Sequence, residues 1–170
     1  MNSVITIDYN GVGFWAPNAV RSRYESHARH FGVTSLHDIS PRIHDEGEKR
    51  WIYPIMEQVI EGIELEDPAC VEIGIEFIED SSSFPFGMIL KSNTARALRR
   101  SHLNSEQEER IRKRVVEMIC TGYLPREFRQ YAKLARKIGM KDWLSQIERE
   151  ADLDNPWIKQ YYIYFDQGFS

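Results

Sequence analysis

Three helix starts recur at nearly even spacing in the second part of the chain. Asp67-Pro68 pairs a capping residue with the residue best tolerated at the first helical position, ahead of Val71, Ile75 and Ile78 at helical spacing. Ser105 with Glu108 has the form of a capping box before Ile111, Val115, Met118 and Ile119, and Gly122 supplies the stop. Asp142 precedes Leu144, Ile147 and Ala151. The starts lie 38 and 37 residues apart, counted from Asp67 to Ser105 to Asp142. A partner segment follows each: Phe86 to Arg100, then Pro125 to Gly139 with Phe128, Tyr131, Ala135 and Ile138 inward, then Asn155-Pro156 leading into Ile158, Tyr161, Tyr162 and Phe165. The pattern predicts a mainly α protein in which residues 67–169 form three antiparallel helical hairpins.

Paired helices at this period resemble a short HEAT-like repeat array, an α-solenoid in which each pair buries its apolar face against the next. The resemblance implies a curved scaffold that binds a protein or a nucleic acid on its concave face, and it implies no catalytic residues. A helical bundle with evenly spaced loops satisfies the same punctuation.

Upstream, residues 18–63 read as two further helices. The first is capped by Asn18, carries Val20, Tyr24, His27 and Phe31 on one face and stops at Gly32; the second carries Trp51, Ile55, Val59 and Ile63. Val33 to Glu48 reads as a polar connection. Residues 1–17 are of another kind: Val4 to Tyr9 alternates, and Asn10-Gly11 is a strong hairpin signal, so a small hairpin or extended lid is expected, seated by Phe14, Trp15 and Pro17. Cys70 to Glu79 also alternates, through Val71, Ile73, Ile75 and Phe77. As a strand it would pair with Val4 to Tyr9 and make the fold α+β; the Asp67-Pro68 start favours a helix.

With 170 residues, a 42% hydrophobic fraction and no apolar run of membrane-spanning length, the chain reads as one soluble, cytoplasmic domain. Cys70 and Cys120 stand in apolar surroundings and read as reduced, buried hydrophobes. The net charge of −4 conceals a separation along the chain. Lys91 to Lys141 carries fourteen basic residues against five acids, whereas Asp45 to Asp80 carries twelve acids against Lys49 and Arg50. Such a separation serves either internal pairing or the choice of a partner by sign.

Candidate chemistry follows from these patterns. The Arg-rich face 96–137, with Arg110, Arg114, Arg129 and Arg136, could grip phosphate or carboxylate bidentately. Glu72 and Glu76 belong to an acidic surface suited to a basic partner. Trp157 to Phe165 holds five aromatics, more than one stripe can bury, which leaves Tyr161 and Tyr164 as contact residues. His27, His30, His37-Asp38 and His44-Asp45 resemble the His-Asp vocabulary of HD-type metal phosphohydrolases, although the distant aspartate of that family has no clear counterpart. Gly11-Val12-Gly13 lacks the third glycine of a dinucleotide turn, and Ser81 to Ser83 lacks a nucleophile elbow. The reading is a non-catalytic binding protein without a cofactor, similar in size, charge and architecture to immunity or antitoxin proteins. Its expected partner is a protein, with nucleic acid or a second copy of the chain as alternatives, and metal-dependent hydrolysis through residues 27–45 is a third reading.

Overall fold

The computed structural model describes residues 3–83 and 85–169. In chain order the elements are β1 (Ile5–Asp8), a 3-10 turn (Gly13–Trp15), α1 (Pro17–His30), β2 (Ile43–Glu46), β3 (Lys49–Ile52), α2 (Met56–Glu64), α3 (Pro68–Glu79) and α4 (Gly87–Arg99). There follow α5 (Ser105–Thr121), α6 (Phe128–Ile138), a 3-10 turn (Lys141–Trp143), α7 (Leu144–Glu150) and α8 (Pro156–Asp166). The protein is mainly helical with a small sheet.

The helices pack in an alternating order. α1, α3, α5 and α7 contact one another in succession, α2, α4, α6 and α8 do the same, and α3–α4, α5–α6 and α7–α8 join the two series. One continuous hydrophobic core runs through them, from Val20 and Tyr24 of α1 to Ile158 and Phe165 of α8. The sheet lies outside that core: every residue of β1, β2 and β3 is at least partly exposed.

Local chemistry sets the helix ends. Asp67 accepts hydrogen bonds from the main-chain N–H groups of Ala69 (2.8 Å) and Cys70 (3.3 Å) and starts α3. Gly122 and Gly139 terminate α5 and α6 at positive φ (73° and 100°), where a Cβ would be strained. Residues 70–79 are therefore helix, not strand. α3 contacts α1, α2, α4 and α5, so it is apolar almost all round, and an all-round apolar helix imitates alternation.

Three expected caps shift. The capping box before α5 uses Asn104 and Gln107 rather than Ser105 and Glu108, with Asn104 Oδ1 accepting from Gln107 N at 2.9 Å and Gln107 Oε1 from Asn104 N at 3.0 Å. Asn18 lies inside α1, because Pro17 takes the first position. Asp142 sits within a 3-10 turn, and α7 begins after Trp143 with no side-chain cap.

The Asn10-Gly11 hairpin does not form. β1 instead pairs in parallel with β3, Ile5 opposite Lys49 through Asp8 opposite Ile52, and the strand order is β1-β3-β2. Asn10 is a latch: its Nδ2 donates to Asp8 Oδ1 (2.8 Å) and to the Tyr53 carbonyl (3.1 Å), while its Oδ1 accepts from Ile55 N (2.7 Å). The hairpin turn lies between β2 and β3, at Gly47 with φ 61°. Part of the expected connection 33–48 is thus strand, and Trp51 belongs to β3, with α2 starting only at Met56. Of the N-terminal aromatics, Trp15 is buried against Phe77 of α3, with ring centroids 4.9 Å apart, whereas Phe14 stays exposed beneath the Arg23 guanidinium.

Candidate functional site

Part of the charge separation along the sequence is consumed inside the molecule, where α3 packs between α1 and α5. Glu72, Glu76 and Glu79 form one polar stripe on α3, and α1 and α5 close on it from either side. Arg110 of α5 donates to Glu72 and to Glu79, the latter at 2.5 Å, and Gln107 Nε2 adds a bond to Glu72 at 3.1 Å. From α1, Arg23 Nε reaches Glu76 Oε2 at 2.9 Å and His27 Nε2 lies 2.5 Å from Glu76 Oε1. Burial alone would raise Glu72, yet the hydrogen bonds from Arg110 and Gln107 outweigh it and hold the carboxyl below the usual range.

Other cations of the basic stretch seal helix C-termini, where unpaired carbonyls and the helix dipole both favour them. Arg114 Nε donates to the Ile78 carbonyl at 3.1 Å and Lys91 donates to the Asp80 carbonyl, at the end of α3. Arg112 takes the carbonyls of Ile138 (3.0 Å) and Gly139 (2.7 Å) at the end of α6, and Lys137 takes that of Arg99 at the end of α4. Arg110, Arg114, Glu72 and Glu76 accordingly turn their hydrogen-bonding capacity inward.

Arg129 and Arg136 behave differently. With Lys133 they form a stripe on α6, at positions four and three residues apart, and α6 contains no acid. α8 packs alongside and offers Trp157, Tyr161 and Tyr164 at the same spacing. Arg129, Lys133, Trp157, Gln160, Tyr161 and Tyr164 line a groove of about 380 Å³, and among the described residues no carboxylate stands in its wall. Among the described residues neither Arg129 nor Lys133 has a salt-bridge partner. Arg136 extends the cationic edge, its Cζ 4.3 Å from the Tyr164 ring centroid. Tyr161 is anchored edge-on against Phe128 at 4.8 Å, and burial pushes its hydroxyl pKa up. Trp157 is 68% exposed, an unusual position for the most expensive side chain to leave in water.

The structure thus brings together four of the eight sequence candidates, Arg129, Arg136, Tyr161 and Tyr164, and adds Lys133, Trp157 and Gln160. The added residues were detectable in principle, because the cations of α6 and the aromatics of α8 repeat the same four-then-three spacing.

The histidines do not converge. His27 serves Glu76, His37 Nε2 lies 2.9 Å from the Gln58 carbonyl, and His44 lies tilted against Trp51 in the exposed sheet, ring centroids 5.5 Å apart. Among the described residues no group of three or more His, Cys, Asp and Glu side chains is placed to hold a metal ion. Ser81 Oγ accepts from Arg114 at 2.7 Å. Cys70 and Cys120 are free thiols, and burial pushes both pKa values up, away from a reactive thiolate.

Comparison with protein-family models, with curated proteins and with solved structures gives no match. Among the described residues no helix is long and apolar enough to cross a membrane.

Proposed function

We propose that the chain is a non-catalytic binding module, of the immunity or antitoxin type, whose α6–α8 groove receives an acidic segment of a partner protein. One observation carries the reading: three cations line up beside an exposed Trp and two Tyr, and among the described residues no carboxylate lines the groove to neutralise them. Internal hydrogen bonds and ion pairs account for Lys91, Arg110, Arg112, Arg114 and Lys137; Arg129 and Lys133 have no such partner among the described residues, and unlike the other unpaired cations of the stretch they line a groove with exposed aromatic rings. Arg with exposed aromatics is the usual composition of binding hot spots, and a one-sign groove speeds encounter with a partner of opposite sign. The alternating helix order supports the HEAT-like comparison, in which such a face is a scaffold surface.

The test is affinity capture from host lysate, with and without nuclease, using the natural chain and an R129E/K133E/W157A variant. The expected result is a nuclease-resistant protein, retained by the natural chain and lost by the variant, with unchanged thermal unfolding. A captured protein indifferent to the three substitutions would overturn the groove assignment. Recovery of nucleic acid, with the proteins lost after nuclease, would favour the second reading, since cations interleaved with aromatic rings also suit a single strand.

A further inference from the structure

α2 carries a stripe that repeats the cationic pattern of α6 with the opposite sign. Glu57, Glu61 and Glu64 stand on α2 at four and three residues, on the side away from the fully buried Val59 and Ile63. Arg129, Lys133 and Arg136 stand on α6 at the same four and three, on the side away from the buried Tyr131 and Ala135. At 1.5 Å of rise per residue the charges of each stripe are spaced about 6 and 4.5 Å along the axis.

The two stripes also lie at the same height, because α2, α4 and α6 run side by side in one direction with their ends level. At the start, Glu57 and Ile60 of α2 share a cleft with Ile89 and Leu90 of α4, and Lys91 of α4 shares another with Glu127 beside α6. At the finish, Ser101 Oγ lies 3.4 Å from the Ile63 carbonyl of α2, and Lys137 of α6 donates to the Arg99 carbonyl of α4.

Internal pairing leaves the acidic stripe largely open. Glu57 holds Arg42 at 2.6 Å, and the sheet stands beside it through Tyr9, Trp51 and Tyr53. Glu61 and Glu64 are exposed, and among the described residues neither has a salt-bridge partner, nor have Lys133 and Arg136. Leu65, directly after Glu64, is 68% exposed.

Half a turn about an axis along α4 lays α2 of one copy on α6 of another, and α6 of the first on α2 of the second. The helices keep their direction under this rotation, so acids and bases meet in the same order on both sides. The rotation also brings Arg96 and Arg99 of α4 towards their own counterparts, a repulsion set against the attractive pairs on either side; Arg96 is turned along α4 by its bond to Asn93 Oδ1 at 3.0 Å.

We infer that the occupant of the α6–α8 groove is a second copy of this chain, held in a two-fold dimer by Glu61 and Glu64 of α2 against Lys133 and Arg136 of α6, with Leu65 against the aromatic side of the groove. The inference rests on the proposal that this groove accepts acidic side chains, and it makes the dimer a resting form that an acidic partner displaces. Exposed ion pairs each contribute little and are screened by salt, so the dimer is weak and salt-sensitive.

The test is sedimentation equilibrium of the full chain, of E61K/E64K and of K133E/R136E, and of the two variants mixed, from about 10 to about 300 µM in low salt and again in about 0.5 M NaCl. The natural chain is expected to dimerise in low salt and to dissociate in high salt, a readout that needs no variant. Each variant alone should dimerise at least about tenfold more weakly. Their equimolar mixture should restore the dimer, because every exchanged acid then meets an exchanged base, and thermal melts establish that both variants are folded. A natural chain monomeric throughout, a dimer untouched by either variant, or a mixture of folded variants no tighter than its parts would each overturn the inference. A monomeric chain that still loses its lysate partner on R129E/K133E/W157A would overturn the second copy alone and leave the groove reading standing.

Discussion

Trp15 donates its indole N–H to Asp80 Oδ2 at 2.5 Å across a separation of 65 residues, so a segment near the N-terminus is fastened to the C-terminal end of α3. The ring also packs on Phe77, so the contact combines a charge-assisted hydrogen bond with apolar burial. Trp15→Phe keeps much of the burial and removes the donor, and should lower the unfolding free energy by about 1–3 kcal/mol. Trp15→Ala loses both and should cost about 3–5 kcal/mol. Urea denaturation followed by circular dichroism checks both; a Trp15→Phe variant as stable as the natural chain would show that the hydrogen bond contributes nothing, and equal losses that the ring burial does not.

Asp80 and Glu72 give the fold an acid limit. Burial would raise Asp80, yet the hydrogen bonds from Ser82 and Trp15 and the charge of Lys91 hold its carboxyl below the ordinary range; Glu72 is held down in the same way by Arg110 and Gln107. Each folded pKa lies below its unfolded value, so the stabilisation is complete above the unfolded range near about pH 4 and is lost as pH falls through the folded values. The melting temperature should be flat from neutrality to about pH 5 and fall below about pH 4. Glu72→Gln should flatten the acid limb while lowering the neutral plateau; an unchanged limb would mean that Glu72 does not contribute to it.

Arg110 and Arg129 lie in the same basic stretch and should respond oppositely to mutation. Arg110→Ala takes the cation from Glu72, whose side chain is only 15% exposed, and leaves it with the Gln107 amide, and should cost about 2 kcal/mol. Arg129→Ala removes an exposed cation and should change stability by less than about 0.5 kcal/mol while weakening the proposed partner contact. Thermal melts of the two variants in parallel decide the matter, and similar losses would contradict the division between internal and available cations.

Gly62 lets α2 pack directly against α3. A Cβ there would lie 2.2 Å from Cys70 Sγ and 3.0 Å from both Cys70 Cβ and His37 Cδ2. On a free helix Gly→Ala gains about 0.5–1 kcal/mol; here the clash should reverse the sign and destabilise by about 1–3 kcal/mol. Chemical denaturation of Gly62→Ala gives the answer directly, and a stabilised variant would show that the two helices can separate at little cost.

The helical body was legible from caps and stops. Asp67-Pro68, Gly122, Gly139 and Asn155-Pro156 mark boundaries that use the side-chain or glycine chemistry their residue types advertise. α3 was ambiguous because its apolar residues leave no clear face; the polar ones, Glu72, Glu76 and Glu79 at four and three residues, carry the helical period. The sheet was misread for a different reason. Asn10-Gly11 is a local signal, and it lost to a parallel pairing with β3 that no local pattern reveals. In the same way, composition showed that the basic stretch existed, but which cations pair inward depends on which carbonyl ends lie beside α5, and that is a tertiary fact.

The parallel match of Ile5–Asp8 to Lys49–Ile52 imposes an order of events. Parallel partners cannot be joined by a tight turn, so α1 and the β2 strand must intervene before the strands meet. During synthesis β1 leaves the ribosome well ahead of β3, and Trp15 well ahead of Asp80. Local helices can form while these long-range contacts wait. Ile5–Asp8 cannot be fastened before Lys49–Ile52 has been made, and until then β1 is an unpaired strand in need of a partner.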